Sequence, residues 1–364
     1  MTDPELRERM SGRSDLADLS PYRAPQLDAP VKLNTNESPY PPPGTFVRDL
    51  QARVAKLDLN RYPQRDFASV REAMAAHVGT LTERVWLANG SNEILLQLLL
   101  AFGGTERKVM TFEPTYGMHA HITKISGTRH LRAGRNPDYS LTAESCVDAI
   151  AAHRPDIVFL CSPNNPTGNS CSPDDIQSIC KAASGMVILD EAYVEFSDTP
   201  NSSIQLLEEC DNLVVTRSFS KSWRLAGARL GYLIASARII EEIQKVRLPY
   251  HLSALSQAAA LAALAHAEEI MATVETIQHE RARVFRELST MAGIVPFPSD
   301  ANFILFRVAS KPAGEVWQRL LEQGILIRDF SDVPRCEDCL RVSIGTPEQN
   351  EKFLDALAAE AVDR

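Results

Sequence analysis

Short apolar runs alternate with segments of helical hydrophobic period from about residue 84 onward. Six runs are apolar on both faces, as in strands covered on both sides of a sheet: 85–88, 108–112, 157–160, 186–189, 213–216 and 230–234. Helical periods lie between several of them, for example at 92–102 and 173–183. This alternation predicts an α/β architecture with a mostly parallel sheet.

The segments outside this alternation predict an N-terminal arm and a smaller lobe. Residues 1–30 are polar with prolines, and the stretch 33–44 is expected to be extended, because a residue before proline avoids the helical region. Helical patterns are predicted at 45–58, 66–79 and 255–290. The remaining chain predicts a small α+β lobe, with strands at 303–308, 325–328 and 340–344 and helices at 313–323 and 347–361.

Composition and charge argue against several classes of protein. Of the 364 residues, 44% are hydrophobic and 23% are charged, which is typical of globular chains. The net charge of −9 argues against nucleic acid as the main partner. No apolar run reaches the roughly 18 residues of a membrane span, and the charged N-terminus lacks the apolar core of a signal peptide. We therefore expect a cytoplasmic protein without a membrane or nucleic-acid partner.

The cysteines and histidines do not predict a metal site or a disulfide framework. The seven cysteines are odd in number and dispersed along the chain. Cys336 and Cys339 have the spacing of a metal or redox pair, but no second pair completes four ligands, so we expect a surface loop with two thiols. His119 and His121 have no glutamate at helical spacing, so no metal site is expected there either.

Polar residues follow the apolar runs, where the strand ends of an open α/β sheet bind ligands. After the first run, Gly90 permits close backbone approach and Ser91 is expected to cap the next helix, whose free N–H groups would face an anion. Tyr116 follows the second run and can stack on a flat ring. Asn165 follows the third run and can hold a ring hydroxyl. Taken singly, each of these residues could instead serve a turn, a cap or packing.

Two further strand ends carry ionisable groups. Asp190 follows the fourth run, so its carboxylate is at least partly buried and needs a partner, either a protonated ring nitrogen or an internal cation. Lys221 follows the fifth run among the hydroxyls of Ser218 and Ser220, with Arg229 eight residues further on. A lysine can bond an aldehyde as an imine, whereas hydroxyls and a guanidinium suit a phosphate. Together the five strand ends supply the parts of a pyridoxal phosphate site.

The chain resembles the fold-type-I pyridoxal-phosphate aminotransferases and, within them, the histidinol-phosphate aminotransferase family. The motifs that carry the resemblance occur in family order: Leu-Asn-Thr-Asn-Glu-Ser-Pro-Tyr at 33–40, Arg-Tyr-Pro at 61–63, Pro-Thr-Tyr-Gly-Met at 114–118, Ser-Pro-Asn-Asn-Pro-Thr-Gly at 162–168, Asp-Glu-Ala-Tyr-Val-Glu-Phe at 190–196, the Lys221 segment, Pro-Tyr-His-Leu-Ser at 249–253, Ile-Arg-Asp at 327–329 and Leu-Arg-Val-Ser-Ile-Gly-Thr at 340–346. The resemblance implies three parts. Residues 1–45 form an arm and part of the small domain, 46–285 the large cofactor-binding domain, and 286–364 the C-terminal small domain.

The resemblance also implies a role for each matching residue. Lys221, Asp190 and Tyr193 would be catalytic: Lys221 bonds pyridoxal 5'-phosphate, Asp190 pairs with its ring nitrogen, and Tyr193 contacts the ring hydroxyl. Asn165 would share that hydroxyl and Tyr116 would stack on the ring. The phosphate would be held by Ser91, Asn92, Ser218, Ser220, Arg229 and, from a partner subunit, Tyr62. This last contact implies a homodimer with shared active sites.

On the substrate side, the resemblance implies transamination between a small-molecule amino donor and a 2-oxo acid acceptor. The pair expected is histidinol phosphate and 2-oxoglutarate, in histidine biosynthesis. Arg341 would bind the substrate carboxylate, and the pocket would be shaped by Asn36, Tyr40, Tyr250 and Arg328. Guanidinium groups suit both the carboxylate of glutamate and the phosphate of histidinol phosphate. A lysine that moves a proton must be neutral, so a lowered pKa is expected for Lys221.

Four positions depart from the family pattern and leave the amino acceptor open. His119 stands where the family usually has tyrosine, and His251 where it usually has asparagine; we expect both on the substrate side. Trp223 and Arg224 replace residues that are usually small or aromatic. Arg224 either binds an acidic group or pairs at the surface, and we favour the surface.

Three alternative functions stay open at this point. One is a paralogous aminotransferase acting on aromatic amino acids or a specialised-metabolism substrate. Another is a decarboxylase of the same fold, such as one acting on threonine phosphate. The third is a regulator without activity, which is disfavoured because residues 1–32 are too short for a DNA-binding domain and because Lys221 and Asp190 are both present.

Overall fold

A computed structural model of the chain describes residues 11–21, 25–198 and 203–361. Its strands are β1 (Val31–Lys32), β2 (Val85–Ala88), β3 (Lys108–Glu113), β4 (Arg129–Gly134), β5 (Ile157–Cys161), β6 (Met186–Asp190), β7 (Leu213–Ser218), β8 (Gly231–Ile234), β9 (Ile294–Pro296), β10 (Phe303–Val308), β11 (Ile325–Leu326), β12 (Arg328–Asp329) and β13 (Cys339–Ser343).

The α-helices are α1 (Gly44–Val54), α2 (Ala68–Val78), α3 (Ser91–Phe102), α4 (Gly117–Ile125), α5 (Ala143–His153), α6 (Pro173–Ala182), α7 (Ala237–Val246), α8 (Ala254–Ala265), α9 (Ala267–Met271), α10 (Thr273–Thr290), α11 (Ala313–Glu322) and α12 (Pro347–Ala361). Short 3-10 helices lie at Ser14–Leu16, Thr82–Arg84, Val194–Phe196, Ser203–Glu208 and Ala226–Ala228. Among the described residues, no helix combines the length and the apolar character needed to cross a bilayer.

A seven-stranded sheet in the order β2-β8-β7-β6-β5-β3-β4 forms the centre of the large lobe. Its strands pair in parallel from β4 to β7, and β8 alone runs antiparallel to both of its neighbours. The predicted α/β class with a mostly parallel sheet is confirmed. Because the parallel strands share a direction, their carboxyl ends meet at one edge, where open α/β sheets bind ligands.

The apolar strands of this sheet are buried along their whole length. All residues of β2, β5, β7 and β8 are buried, and helices pack on the sheet to form one large hydrophobic cluster. Burial of each large apolar side chain contributes about 1.5–3 kcal/mol. Strand β4 was not predicted. It lies at the edge of the sheet, its sequence Arg-His-Leu-Arg-Ala-Gly is largely polar, and most of its residues are exposed or half-buried.

The small lobe has its own sheet and its own core. An antiparallel sheet in the order β12-β13-β10-β9 packs on α10, α11 and α12 around a second buried cluster. Strand β1 pairs in parallel with β11, so that Val31 lies opposite Ile325 and the N-terminal segment belongs to this lobe. The predicted boundary at residue 285 falls within α10 and stays a prediction.

A third cluster, here called the bridging cluster, joins the two lobes. Its buried members are Tyr139 from the large lobe and Leu305, Cys336 and Cys339 from the small lobe. Both thiols are fully buried, so the expectation of a surface loop with two thiols was wrong. Cysteine behaves as a small hydrophobic side chain when it packs in this way.

Candidate active site

A cavity of about 1050 Å³ lies between the carboxyl edge of the large sheet and the small lobe. It brings together most of the residues predicted for the site: Asn36, Ser91, Asn92, Tyr116, Asn165, Asp190, Tyr193, Ser218, Ser220, Lys221, Arg229, Arg328 and Arg341. These residues come from both lobes and from positions 36 to 341 in the chain. The functional roles of these residues stay predictions.

One end of the cavity has the form of a cradle for an anion. Helix α3 begins at Ser91, and its N-cap is Gly90 with a φ of 90°. A Cβ at Gly90 would lie 2.7 Å from Arg229 Nη2, and a Cβ at Gly231 would lie 2.4 Å from the Ser91 nitrogen. Only glycine therefore lets the Arg229 guanidinium and the helix N-terminus approach so closely. Backbone N–H groups and a guanidinium at a helix N-terminus are suited to a phosphate.

Two serines extend this cradle, and one sequence expectation is corrected there. Arg229 Nη1 donates to Ser220 Oγ at 3.4 Å, and the Ser220 backbone N–H donates to Ser218 Oγ at 3.1 Å. Ser91 was expected to cap α3, but it is the first residue inside the helix and Gly90 occupies the cap position. A glycine cap is used because the backbone turns through a positive φ that side chains disfavour.

Lys221 projects into the cavity with a lowered pKa. Burial, reinforced by the charges of Arg341 and Arg229, lowers the pKa of Lys221 from its ordinary value to about 7. Its Nζ donates to the Thr35 carbonyl oxygen at 2.8 Å and lies 5.7 Å from the centre of the Tyr193 ring. The lowered pKa agrees with the expectation from the sequence. At neutral pH about half of this amine is uncharged, so it can act as a nucleophile or accept a proton.

Asp190, the last residue of β6, presents a buried carboxylate that is held by two groups. Its Oδ2 lies 3.2 Å from His119 Nε2, and its Oδ1 accepts from the Ala192 backbone N–H at 3.1 Å. The His119 ring is fully buried and stacks on Phe159, with ring centres 4.5 Å apart. His119 was expected on the substrate side, whereas it lies against Asp190. The carboxylate also lines the cavity, so it can meet a ligand there.

A hydrogen-bonded chain links Tyr193 to Arg341. The Tyr193 oxygen accepts from Asn36 Nδ2 at 3.1 Å and from Asn165 Nδ2 at 3.3 Å. Arg341 Nη1 donates to Asn165 Oδ1 at 2.5 Å, and its Nη2 donates to the Asn34 carbonyl at 2.8 Å. Burial raises the pKa of Tyr193 to about 12. The phenol therefore keeps its proton, which it can donate to a ligand oxygen.

The far side of the cavity carries two arginines on neighbouring strands. Arg328 and Arg341 are opposite each other in the antiparallel pairing of β12 and β13, and both line the cavity. The Arg341 guanidinium is flanked by Phe303 and Phe330, each with its ring centre 5.0 Å from Cζ. Like charges directly opposite in a sheet are destabilising. A ligand anion between them would remove that cost, so this side is suited to a carboxylate or phosphate.

Three predicted site residues lie outside this cavity. Tyr62 and Tyr250 stack on each other with ring centres 4.4 Å apart, and they are 79% and 38% exposed. Tyr40 packs at the margin of the small-lobe core and is not part of the cavity lining. The roles predicted for these three tyrosines stay predictions.

The remaining departures from the family pattern also lie away from the cavity lining. His251 stacks on Trp86, and its Nε2 lies 3.0 Å from the Leu87 carbonyl. It does not line the cavity of its own chain, and the substrate-side position expected for it stays a prediction. Trp223 is fully buried in the large core. Arg224 donates to the backbone carbonyls of residues 41 and 269 rather than to an acidic side chain.

Sequence reasoning missed several groups of the site. The Thr35 carbonyl oxygen accepts a hydrogen bond from Lys221 Nζ. This contact could not be predicted from the sequence, because every residue has the same backbone carbonyl. The exposed carboxylate of Glu37 lines the cavity, although the sequence pattern suggests no separate role for it beyond its motif. Among the described residues, no group of three or more His, Cys, Asp or Glu side chains is placed to hold a metal ion.

Comparison with known proteins gives a consistent result. The family model for aminotransferase class I and II matches residues 29–357. Histidinol-phosphate aminotransferase of Frankia casuarinae is 47% identical over 360 residues, which cover 95% of this chain and 89% of that protein. The Corynebacterium glutamicum (strain R) protein of the same name is 44% identical over 366 residues, which cover 98% of this chain and 97% of that protein.

A solved structure supports the fold. Histidinol-phosphate aminotransferase from Sinorhizobium meliloti, in complex with pyridoxal-5'-phosphate, matches with a TM-score of 0.86. The match covers 96% of this chain and 97% of that chain at 24% sequence identity, which shows a shared fold.

Proposed function

This chain belongs to the class I and II aminotransferase family, and from that premise we propose that it exchanges an amino group between histidinol phosphate and 2-oxoglutarate, with pyridoxal 5'-phosphate as its cofactor. Two relatives that are 47% and 44% identical over nearly the whole chain are named histidinol-phosphate aminotransferase. The observation that carries the proposal is that a lysine with a lowered pKa, a buried aspartate and an anion cradle line one cavity.

The residues present fit this cofactor. The cradle of Ser91, Asn92 and Arg229, which Gly90 and Gly231 keep open, matches a phosphate. Once bound, pyridoxal phosphate supplies a ring that accepts electrons from the substrate α-carbon. Asp190 would hold the ring nitrogen, because a buried carboxylate needs a positive or hydrogen-bonding partner.

Lys221 and Tyr193 would act on protons in this site. Lys221 would bond the cofactor aldehyde and, once released by the amino substrate, move the proton of the α-carbon. Its pKa of about 7 keeps a large share of the amine neutral at physiological pH, which a general base requires. Tyr193 keeps its proton and would donate it to the cofactor hydroxyl oxygen, with Asn165 beside it.

Arg328 and Arg341 would bind the anionic end of each substrate. Both substrates of the proposed reaction carry an anion, which is a carboxylate in 2-oxoglutarate and a phosphate in histidinol phosphate. Two facing guanidinium groups suit either one bidentately. A single pair of arginines can therefore serve both half-reactions.

We propose a homodimer in which Tyr62 reaches the site of the partner subunit. Tyr62 is 79% exposed outside the cavity of its own chain, and it stacks on Tyr250. The two chain segments that carry these tyrosines also carry the exposed leucines Leu59, Leu248 and Leu255. Apolar side chains exposed as a group mark interaction surfaces. Sedimentation equilibrium would test this proposal, since an active monomer would contradict it. The cytoplasm is the proposed compartment, because all seven cysteines are free thiols.

The test of function is a visible spectrum of the purified protein during titration with histidinol phosphate. An absorption band of the bound cofactor that histidinol phosphate converts to the amine form supports the proposal, and Lys221→Ala should lack that band. A band that responds to phenylalanine but not to histidinol phosphate would favour the aromatic alternative. Release of carbon dioxide from threonine phosphate without an oxo acid would favour the decarboxylase.

A further inference from the structure

Arg335 ties the small lobe to the large lobe at the edge of the cavity. It lies in the segment between β12 and β13, residues 330–338, which is called the clasp segment below. Its Nη1 donates to the Glu113 carbonyl at 3.1 Å, and its Nη2 donates to the Arg135 carbonyl at 2.5 Å. A long hydrogen bond of 3.5 Å reaches the Asn136 carbonyl as well. One side chain of the small lobe thus binds three backbone oxygens of the large lobe.

The large lobe is shaped to receive this guanidinium. Gly134 ends β4, and a Cβ there would lie 2.3 Å from Arg335 Nη1. The Tyr139 hydroxyl donates to the Arg335 carbonyl at 2.7 Å, which holds the main chain of the clasp segment as well. Tyr139 is itself part of the bridging cluster with Cys336 and Cys339. The contact therefore combines a guanidinium, a backbone carbonyl and a small apolar core.

This contact connects the two sides of the cavity. Phe330 begins the clasp segment, and its ring lies 5.0 Å from Arg341 Cζ, the guanidinium proposed to bind substrate. Glu113 ends β3 and is followed within three residues by Tyr116, which lines the cofactor side of the cavity. Arg335 therefore sets the distance between the strand that leads to Tyr116 and the segment that flanks Arg341.

We propose that Arg335 is a positioning residue for substrate recognition: it holds the clasp segment so that Phe330 keeps the Arg341 guanidinium aligned for the substrate anion. The proposal rests on the proposed function for the role of Arg341. Arg335 lines the cavity, but its two terminal nitrogens donate to backbone carbonyls of the large lobe. We therefore assign it a role through Phe330 and Arg341 rather than through direct contact with substrate. Loss of the Arg335 contacts frees the clasp segment and loosens the packing of Phe330 against Arg341. Anion binding should then weaken by roughly tenfold, which corresponds to the free energy of a partly buried cation–π contact.

The experiment measures binding of glutarate, an unreactive dicarboxylate, to the cofactor-loaded protein by calorimetry. The variants are Arg335→Ala, Gly134→Ala, and both together. Arg71→Ala is the matched control, because Arg71 also donates to two backbone carbonyls, at 2.9 Å each, but lies outside the cavity. Hydrogen exchange of amides 330–338, the Tm and the steady-state constants for glutamate are recorded for each protein.

The expected result is a Kd for glutarate and a KM for glutamate that rise roughly tenfold in both single variants. The kcat should stay within about twofold, and exchange in the clasp segment should become faster. The double variant should be no worse than Arg335→Ala alone, because a Cβ at Gly134 harms binding only by displacing the Arg335 guanidinium. Arg71→Ala should lower Tm without changing either constant.

Two results would overturn the proposal. One is an unchanged glutarate Kd in both single variants while the Tm falls, since this would make Arg335 a structural residue only. The other is a wild-type protein that binds no glutarate, since the anion site would then be absent. If the wild-type protein binds glutarate but does not transaminate histidinol phosphate, the proposed function fails and the positioning role stands. Should Arg335→Ala fail to fold, Gly134→Ala carries the same test.

Discussion

The lowered pKa of Lys221 predicts how fast the cofactor-free protein captures pyridoxal 5'-phosphate at each pH. Imine formation requires the neutral amine. With a pKa of about 7, roughly three quarters of the amine is neutral at pH 7.5, whereas an ordinary lysine would be about 0.1% neutral. The reactive fraction is therefore larger by a factor of several hundred. Because the pKa is lowered, the capture rate should level off above about pH 7.5 and fall about tenfold per pH unit well below pH 7.

The assay is stopped-flow absorbance after mixing the cofactor-free protein with pyridoxal 5'-phosphate between pH 5.5 and 9.5. Arg341→Gln removes the cation that acts most strongly on Lys221, so the midpoint should move to higher pH. Arg328→Gln, in the same cavity, is the control and should leave the midpoint in place. The cofactor phosphate ionises in the same pH range with both variants, so the difference between their midpoints reports Lys221 alone. A wild-type rate that keeps rising through pH 9 would refute the reasoning, as would a midpoint that Arg341→Gln leaves unmoved.

Three further predictions follow from single features of the structure. His119→Phe keeps an aromatic ring but removes the hydrogen bond to Asp190. A hydrogen bond to a charged group is worth ~1.5–3 kcal/mol, so kcat/KM should fall by about 10- to 160-fold; an unchanged kcat/KM and an unchanged cofactor spectrum would contradict this. Gly231→Ala would place a Cβ 2.4 Å from the Ser91 nitrogen and so disturb the anion cradle. Fluorescence titration should show at least tenfold weaker cofactor binding, or about 1.4 kcal/mol, whereas the control Gly44→Ala should bind the cofactor normally. All seven thiols are buried, so a thiol reagent should react only slowly with the native protein. After denaturation it should react rapidly with all seven cysteines, and one fast-reacting thiol in the native protein would count against the structure.

The architecture and the parts of the site could be predicted because they depend on local patterns. Continuous apolar runs identify strands buried on both faces, and the residues after those runs lie at one edge of the sheet by geometry alone. Lys221 and Asp190 were found in this way. Strand β4 escaped detection because an edge strand needs no apolar run.

The features that were missed or wrongly placed depend on contacts across long distances in the chain. His119 was placed on the substrate side because its sequence neighbourhood does not show that α4 packs it against Asp190 of β6. Arg335 binds backbone carbonyls some 200 positions away, and a carbonyl is the same for every residue type. Cys336 and Cys339 stand in a charged stretch, yet Tyr139 covers them from the other lobe.

The parallel pairing of β1 with β11 also bears on how the protein is made. Val31 leaves the ribosome almost 300 residues before its partner Ile325, and the core of the large sheet is complete in between. Domains tend to fold as they emerge, and contacts between distant parts of a chain form late. The N-terminal segment that contains Asn36 therefore has no strand partner until nearly all of the chain has been translated. The cavity, which is lined by Asn36 together with Arg328 and Arg341, is therefore completed only at the end of synthesis.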